Sequence, residues 1–216
     1  MLHLRGYLLL NSGAFEPDNE VEGEMFSENE IADPHRGPED PEFHPTPQDI
    51  GLVRSCFPLP PELVTLILDF AEYWVYSQTI RSDYCRFYAA NERYLQSEPI
   101  LGGEFSRPLR RLVVTTRSKD QGWSSYLDDH GTRENSWTWF ELTLDDGSAG
   151  EEIMRVEVMR NIHAGLTFET HLAVIEDKRI LDRAKEGDKL SVWARAMYPA
   201  WCNNVQSVKI EAWVAC

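Results

Sequence analysis

The sequence has no run of about 18 consecutive apolar residues, which excludes a membrane-spanning helix. Bases are scarce. Against 36 Asp and Glu stand 21 Lys and Arg, a formal charge of −15 that argues against broad electrostatic capture of nucleic acid. Only four cysteines occur (Cys56, Cys85, Cys202, Cys216), far apart and with no Cys-x-x-Cys pair, so reduced thiols are expected rather than a disulfide framework. There is no Asn-x-Ser/Thr sequon, and the run Tyr7–Leu10 is shorter than the roughly 7–15 apolar residues of a secretory signal. A cytoplasmic protein is therefore expected. A phosphate-cradling loop is missing too, because Leu101-Gly102-Gly103 is not followed by Lys and a helix start.

Apolar residues make up 42% and aromatics 11%, enough to core one large or two small domains. The charge is unevenly spread. Between Phe15 and Asp49 there are twelve acids and one Arg, or −11, leaving −4 for the rest. Residues 11 to about 50 also carry Pro34, Pro38, Pro41, Pro45 and Pro47 and lack apolar periodicity. Such a segment cannot bury enough surface to offset its ordering entropy, so disorder is expected. The alternative is an acidic interaction tail with Phe15, Met25-Phe26 and Phe43 as hydrophobic handles.

Leu63, Val64, Leu66, Ile67, Phe70, Ala71 and Trp74 recur at helical spacing after Pro60-Pro61-Glu62. Pro61 suits the first helical turn and Glu62 the positive dipole end, so the pattern predicts an amphipathic helix over 61–79. Its stripe reads as core, packed on the following domain, or alternatively as a protein-binding face. Leu59-Pro60-Pro61-Glu62-Leu63 followed by Ile67-Leu68 resembles the opening of an F-box, the helical segment by which ubiquitin-ligase adaptors dock their scaffold. The resemblance covers about fifteen residues and implies a protein partner through 59–79. An F-box packs three helices over some forty residues, whereas this chain is read as passing through one short helix at Tyr84–Leu95 into strands.

From Leu109 the period changes to two. Leu112–Thr116 is β-branched, and Phe140, Leu142 and Leu144 alternate with Trp139, Glu141 and Thr143. Met154/Val156/Val158, Phe168/Thr170/Leu172/Val174, Leu190/Val192/Ala194/Ala196 and Val208/Ile210/Ala212/Val214 continue the alternation. Six such strands joined by turn signals, Asp145-Asp146-Gly147 and Glu186-Gly187-Asp188 the strongest, predict an antiparallel β-sandwich, jelly-roll-like, with the helix packed on it. The expected division is an acidic, largely disordered segment (1–50), a helical segment (51–100) and the sandwich (101–216). Segments Ser118–Trp123, Ser136–Phe140 and Arg160–Gly165, with Trp201-x-Asn203-x-Val205, resemble a set of uncharacterised fungal proteins in which a Leu-Pro-x-Glu helix precedes a β domain. That resemblance implies the domain and no activity.

If consecutive strands alternate in direction, the loops 118–136, 160–167 and 198–206 share one end of the sandwich. They would bring together Asp120, Gln121, Trp123, Tyr126, Arg160, His163, Trp201, Asn203 and Asn204. Aromatic plates cover apolar C–H surface while amides and charges satisfy hydroxyls, the chemistry for a glycan or other small polar ligand. The alternative is that the tryptophans plug the sandwich end, Asp120 and Asn203 tie down turns, and Arg160 braces a loop. Trp139, Trp193 and Trp213 fall on the faces opposite the core and are expected to contact the helix. Catalysis finds little support: Asp128, His130 and His163 have no diagnostic metal spacing, and Cys202, His163 and Asp120 would form a nucleophilic site only if the loops aligned them. No metal, cofactor or membrane partner is expected. The sequence thus points to a non-catalytic module that binds a small polar ligand, or else to a protein–protein adaptor acting through 59–79 and the acidic tail.

Overall fold

The computed structural model describes residues 43–102 and 105–215. The acidic segment read as disordered lies, up to Glu42, outside the described residues. Its last part is ordered: α1 spans Pro47–Cys56. Thr46 accepts the Asp49 N–H and Asp49 returns a bond to the Thr46 N–H, a capping box that the proline-rich composition obscured. The second helix, α2, runs from Pro61 to Phe70, not to residue 79. Glu72 takes a left-handed φ of 52° and turns the chain. Val75–Arg81 then forms β1, whose seven residues all pair with the C-terminal strand. A continuous edge ladder outweighs the weak helical preference of Val75, Thr79 and Ile80.

Residues 84–95, expected as a short helix, are strands β2 (Cys85–Tyr88) and β3 (Asn91–Gln96). The stretch 51–100 is therefore helical only as far as Phe70. Six further strands follow: β4 (Leu109–Lys119), β5 (Thr138–Asp145), β6 (Glu152–Arg160), β7 (Glu169–Val174), β8 (Lys189–Ala196) and β9 (Cys202–Val214). One sheet has the order β1-β9-β4-β7 and the other β3-β8-β5-β6, every pairing antiparallel. This is an antiparallel β-sandwich with the two-sheet connectivity of a jelly roll. Short β2 continues the line of β1 along β9, pairing Cys85–Tyr88 with Val205–Cys202.

The core lies between the sheets, where Leu112, Val114, Val208 and Ile210 face Phe140, Leu142, Leu190 and Val192, each at most 2% exposed. Alternation places them there, as the period-two pattern predicts. β7 departs from it. His171 is buried, while Leu172 and Val174 are 66% and 47% exposed, so this edge strand presents the opposite face from the one expected. Its register is set by pairing with β4, Thr116 opposite His171, and a one-residue choice of register inverts every side chain.

Helix α2 does not cover a sheet face. Val64 and Leu68 pack with Ile50 and Val75 in a small separate cluster, and Asp69 holds Arg110 of β4 and the Trp74 indole. Leu63, Leu66, Ile67 and Phe70 remain exposed, Phe70 at 93%. The tryptophans expected to meet the helix are covered by arginine instead. Arg160 and Arg195 lie over Trp139, Arg155 over Trp193 and Arg111 over Trp213. Glu141 joins Arg155, Arg195 and the Trp139 N–H into one network. Burial pushes its carboxyl up, but these donors outweigh it and hold the group below its ordinary value.

Candidate ligand-binding groove

The connections 120–137, 161–168 and 197–201 do meet at one end of the sandwich, joined there by the β2–β3 turn. Backbone bonds link them: His163 N–H to the Thr132 carbonyl, Gly131 N–H to the His163 carbonyl, and Met197 N–H to the Trp137 carbonyl. Alternation of strand direction is unbroken from β4 to β9, which is why these connections share an end.

Most of the polar residues expected to bind a ligand are inside this end. The Asp120 carboxylate accepts from Gly122 N–H (2.8 Å) and Ala164 N–H (2.7 Å), tying the first loop to the second. Burial dominates its protonation and raises its pKa despite those donors and nearby His163. Asn161, Asn203, Ser118 and Thr138 form a buried amide–hydroxyl chain across the sandwich: Ser118 Oγ donates to Asn161 Oδ1, and Asn161 Nδ2 reaches both Thr138 Oγ1 and Asn203 Oδ1. His163 is fully buried. Its Nδ1–H donates to the Glu134 carbonyl, and its ring meets the edge of Trp201 at 5.2 Å. Trp201, 8% exposed, is a plug. Arg160 is a brace, binding the Ser136 carbonyl and Glu157. Tyr126 is exposed just before the 3₁₀ turn Leu127–Asp129 and does not line the groove.

The remaining three residues do come together. Gln121, Trp123 and Asn204 line an open concavity of about 420 Å³ with Tyr84, Arg86, Tyr88, Lys119, Ala200 and Cys202. Its construction follows from strand geometry. Tyr84, Arg86 and Tyr88 fall at alternate positions at and beside β2, pointing outward while Phe87 enters the core. Cross-strand pairing sets Arg86 opposite Asn204 and Asn204 opposite Lys119, and Tyr88 opposite Cys202. Buried Cys202 and Asn204 are thus the floor, β2 is one wall, and Lys119 to Trp123 is the other. Trp123 is 61% exposed, Tyr84 58% and Tyr88 50%.

Comparison with known proteins identifies no family. No family model matches the sequence, and no curated protein matches it. Among solved structures it is similar to dimeric latent PorU from Porphyromonas gingivalis, with 7% identity over 66% of this chain and a TM-score of 0.33. That match spans 13% of the PorU chain. It is also similar to the CBM36-1 domain of a multidomain xylanase from the hindgut metagenome of Trinervitermes trinervoides, with 12% identity over 62% of this chain and 96% of that one, at a TM-score of 0.31.

Groove side chains are held in place. Tyr84 OH donates to Asn204 Oδ1 (3.1 Å), and Asn204 Nδ2 donates to the Asp120 carbonyl (2.8 Å). The Gln121 amide accepts the Cys202 N–H and donates to the Trp123 carbonyl. The neighbouring Cys202 thiol is the main cause that raises the Tyr88 phenol and the Arg86 guanidinium above their ordinary values. Gly122 needs its glycine: φ is +84° where the chain turns between Gln121 and Trp123.

Among the described residues, no three His, Cys, Asp or Glu side chains are placed to share a metal ion. Both Asp120 oxygens are spent on backbone amides and His163 Nδ1 on the Glu134 carbonyl, so Asp120 does not orient His163 as the acid of a relay would. No described helix is long and apolar enough to cross a membrane. The groove residues missed from the sequence, Tyr84, Arg86 and Tyr88, did carry a signal. Tyr84-Cys85-Arg86-Phe87-Tyr88 alternates polar-aromatic with apolar, the period of two that β2 realises.

Proposed function

We propose that this protein is a non-catalytic recognition module whose groove binds a saccharide or a similar small polyhydroxylated ligand. One observation carries the reading: three exposed aromatic rings, Tyr84, Tyr88 and Trp123, wall a concavity whose amides Gln121 and Asn204 are already oriented by hydrogen bonds. Ring faces can cover the apolar C–H face of a sugar while amides and cations take its oxygens. Rigid positioning lowers the ordering cost of binding. The groove has neither a carboxylate nor an imidazole among its lining residues, and so no ordinary general acid–base pair.

A glycan and metabolite screen on the full chain tests this, followed by titration of any hit against Trp123→Ala and Tyr88→Ala. Each substitution should weaken binding about ten-fold or more, roughly 1.4 kcal/mol, and leave the melting temperature unchanged because both rings are exposed. Binding that survives both substitutions places the ligand elsewhere.

A second reading is an adaptor that binds another protein through α2. Its support is the exposure of Leu59, Leu63, Leu66, Ile67 and Phe70 on and just before α2. The F-box-like spelling of 59–68 falls on the same residues. Phe70→Gln should abolish a partner interaction made there and leave groove binding untouched.

A further inference from the structure

We infer that the groove selects an acidic saccharide, one bearing a carboxylate or sulfate ester, through Arg86 and Lys119. This rests on the saccharide reading above and narrows it. The lining contains two cations and no acid, in a chain whose acids outnumber its bases 36 to 21. Several arginines elsewhere find carboxylates: Arg81 pairs with Asp83, Arg110 with Asp69, Arg155 and Arg195 with Glu141, Arg160 with Glu157, Arg179 with Asp177, while Arg111 and Arg117 meet an indole and an amide. Among the described residues neither Arg86 nor Lys119 has such a partner.

Both cations are nevertheless positioned. The Arg86 guanidinium lies 5.2 Å from the Tyr88 ring centroid. Lys119 donates one N–H to the Leu166 carbonyl at 2.7 Å and sits over the Phe168 ring at 5.0 Å. An ammonium has three donors, so two remain for a ligand. The register aligns Arg86, Asn204 and Lys119 in one row across β2, β9 and β4. Two strand spacings separate the backbones of Arg86 and Lys119 by about 10 Å, with Asn204 between them. A guanidinium offers a planar fork suited to carboxylate or sulfate oxygens, and the aromatic walls take the sugar faces. An acidic peptide would satisfy the cations but would leave the flat rings of Tyr84, Tyr88 and Trp123 without a matching surface at each residue.

The test is calorimetric titration of the full-length protein, in chelator, with hexagalacturonate, its full methyl ester, a sulfated galactan hexamer and decaglutamate. Hexagalacturonate or the sulfated hexamer should bind about ten-fold or more tightly than the ester, and whichever is tighter identifies the anion. Arg86→Gln and Lys119→Gln should each erase that preference, Arg86→Lys should retain part of it, and Trp123→Ala should weaken every saccharide. Thermal melts of the variants should match the parent, as both side chains are at the surface. Equal binding of the ester and the acids overturns the inference and leaves the saccharide reading standing. Decaglutamate binding as tightly as the acidic sugars overturns the assignment to saccharides. Failure of every sugar to bind overturns both.

Discussion

Trp123 and Trp201 have the same chemistry and opposite fates. Trp123 follows the left-handed Gly122 and is carried outward, 61% exposed. Trp201 sits against His163 at the start of β9 and is 8% exposed. Trp201→Ala is therefore expected to cost about 3–5 kcal/mol of stability, as truncation of a buried aromatic ring does. Urea denaturation would show it; a change below 1 kcal/mol would mean the ring is not part of the core. Of the nine residues singled out from the sequence, Gln121, Trp123 and Asn204 line the groove. Asp120, His163, Trp201 and Asn203 build the end on which it rests, and residue type could not separate these roles. An Asn that ties strands together and an Asn that greets solvent are spelled alike.

At the scale of elements, the helices and the sandwich are unequal in what they bury. The cluster formed by Ile50, Val64, Leu68 and Val75 has four buried residues, against twenty-two in the core between the sheets. Local opening free energy follows buried contact, so α1 and α2 should open below the global unfolding free energy. Native-state hydrogen exchange should show amides of 50–56 and 64–70 exchanging by sub-global opening while those of β4, β5, β8 and β9 exchange only globally. Equal protection of both sets would refute the hierarchy. The six strands from β4 onward were legible because each alternates apolar and polar residues over its length. β2 carries a period-two signal in Tyr84–Tyr88, whereas β1 and β3 do not, because their partners β9 and β8 lie about a hundred residues or more away and only pairing with them makes them strands.

For the whole molecule, two buried titratable groups set opposing pH dependences. Burial lowers the His171 pKa below its ordinary 6.5, and adjacent Arg133 adds to this while Glu169 opposes it. Its neutral form belongs to the folded state, so the stabilisation is complete above about pH 6.5 and is lost as pH falls from there through the folded pKa. Asp120 acts in the other direction and lower on the scale. Its folded pKa is raised above 3.8, so its ionised form costs stability that is recovered as pH falls through that raised value. Chemical denaturation should thus show stability declining from pH 7.5 to 5.5, with His171→Gln flattening the decline. An unchanged slope in the variant would assign the effect to other groups. The sequence by itself determined the antiparallel sandwich and, through alternating strand direction, which loops share an end, because both depend on local periodicity and chain order. Tertiary structure alone decided which face of β7 turns inward, where α2 stops, and which polar residues at the loop end face solvent. Those outcomes depend on strand register and on competition for buried volume, and both are settled only when distant segments meet.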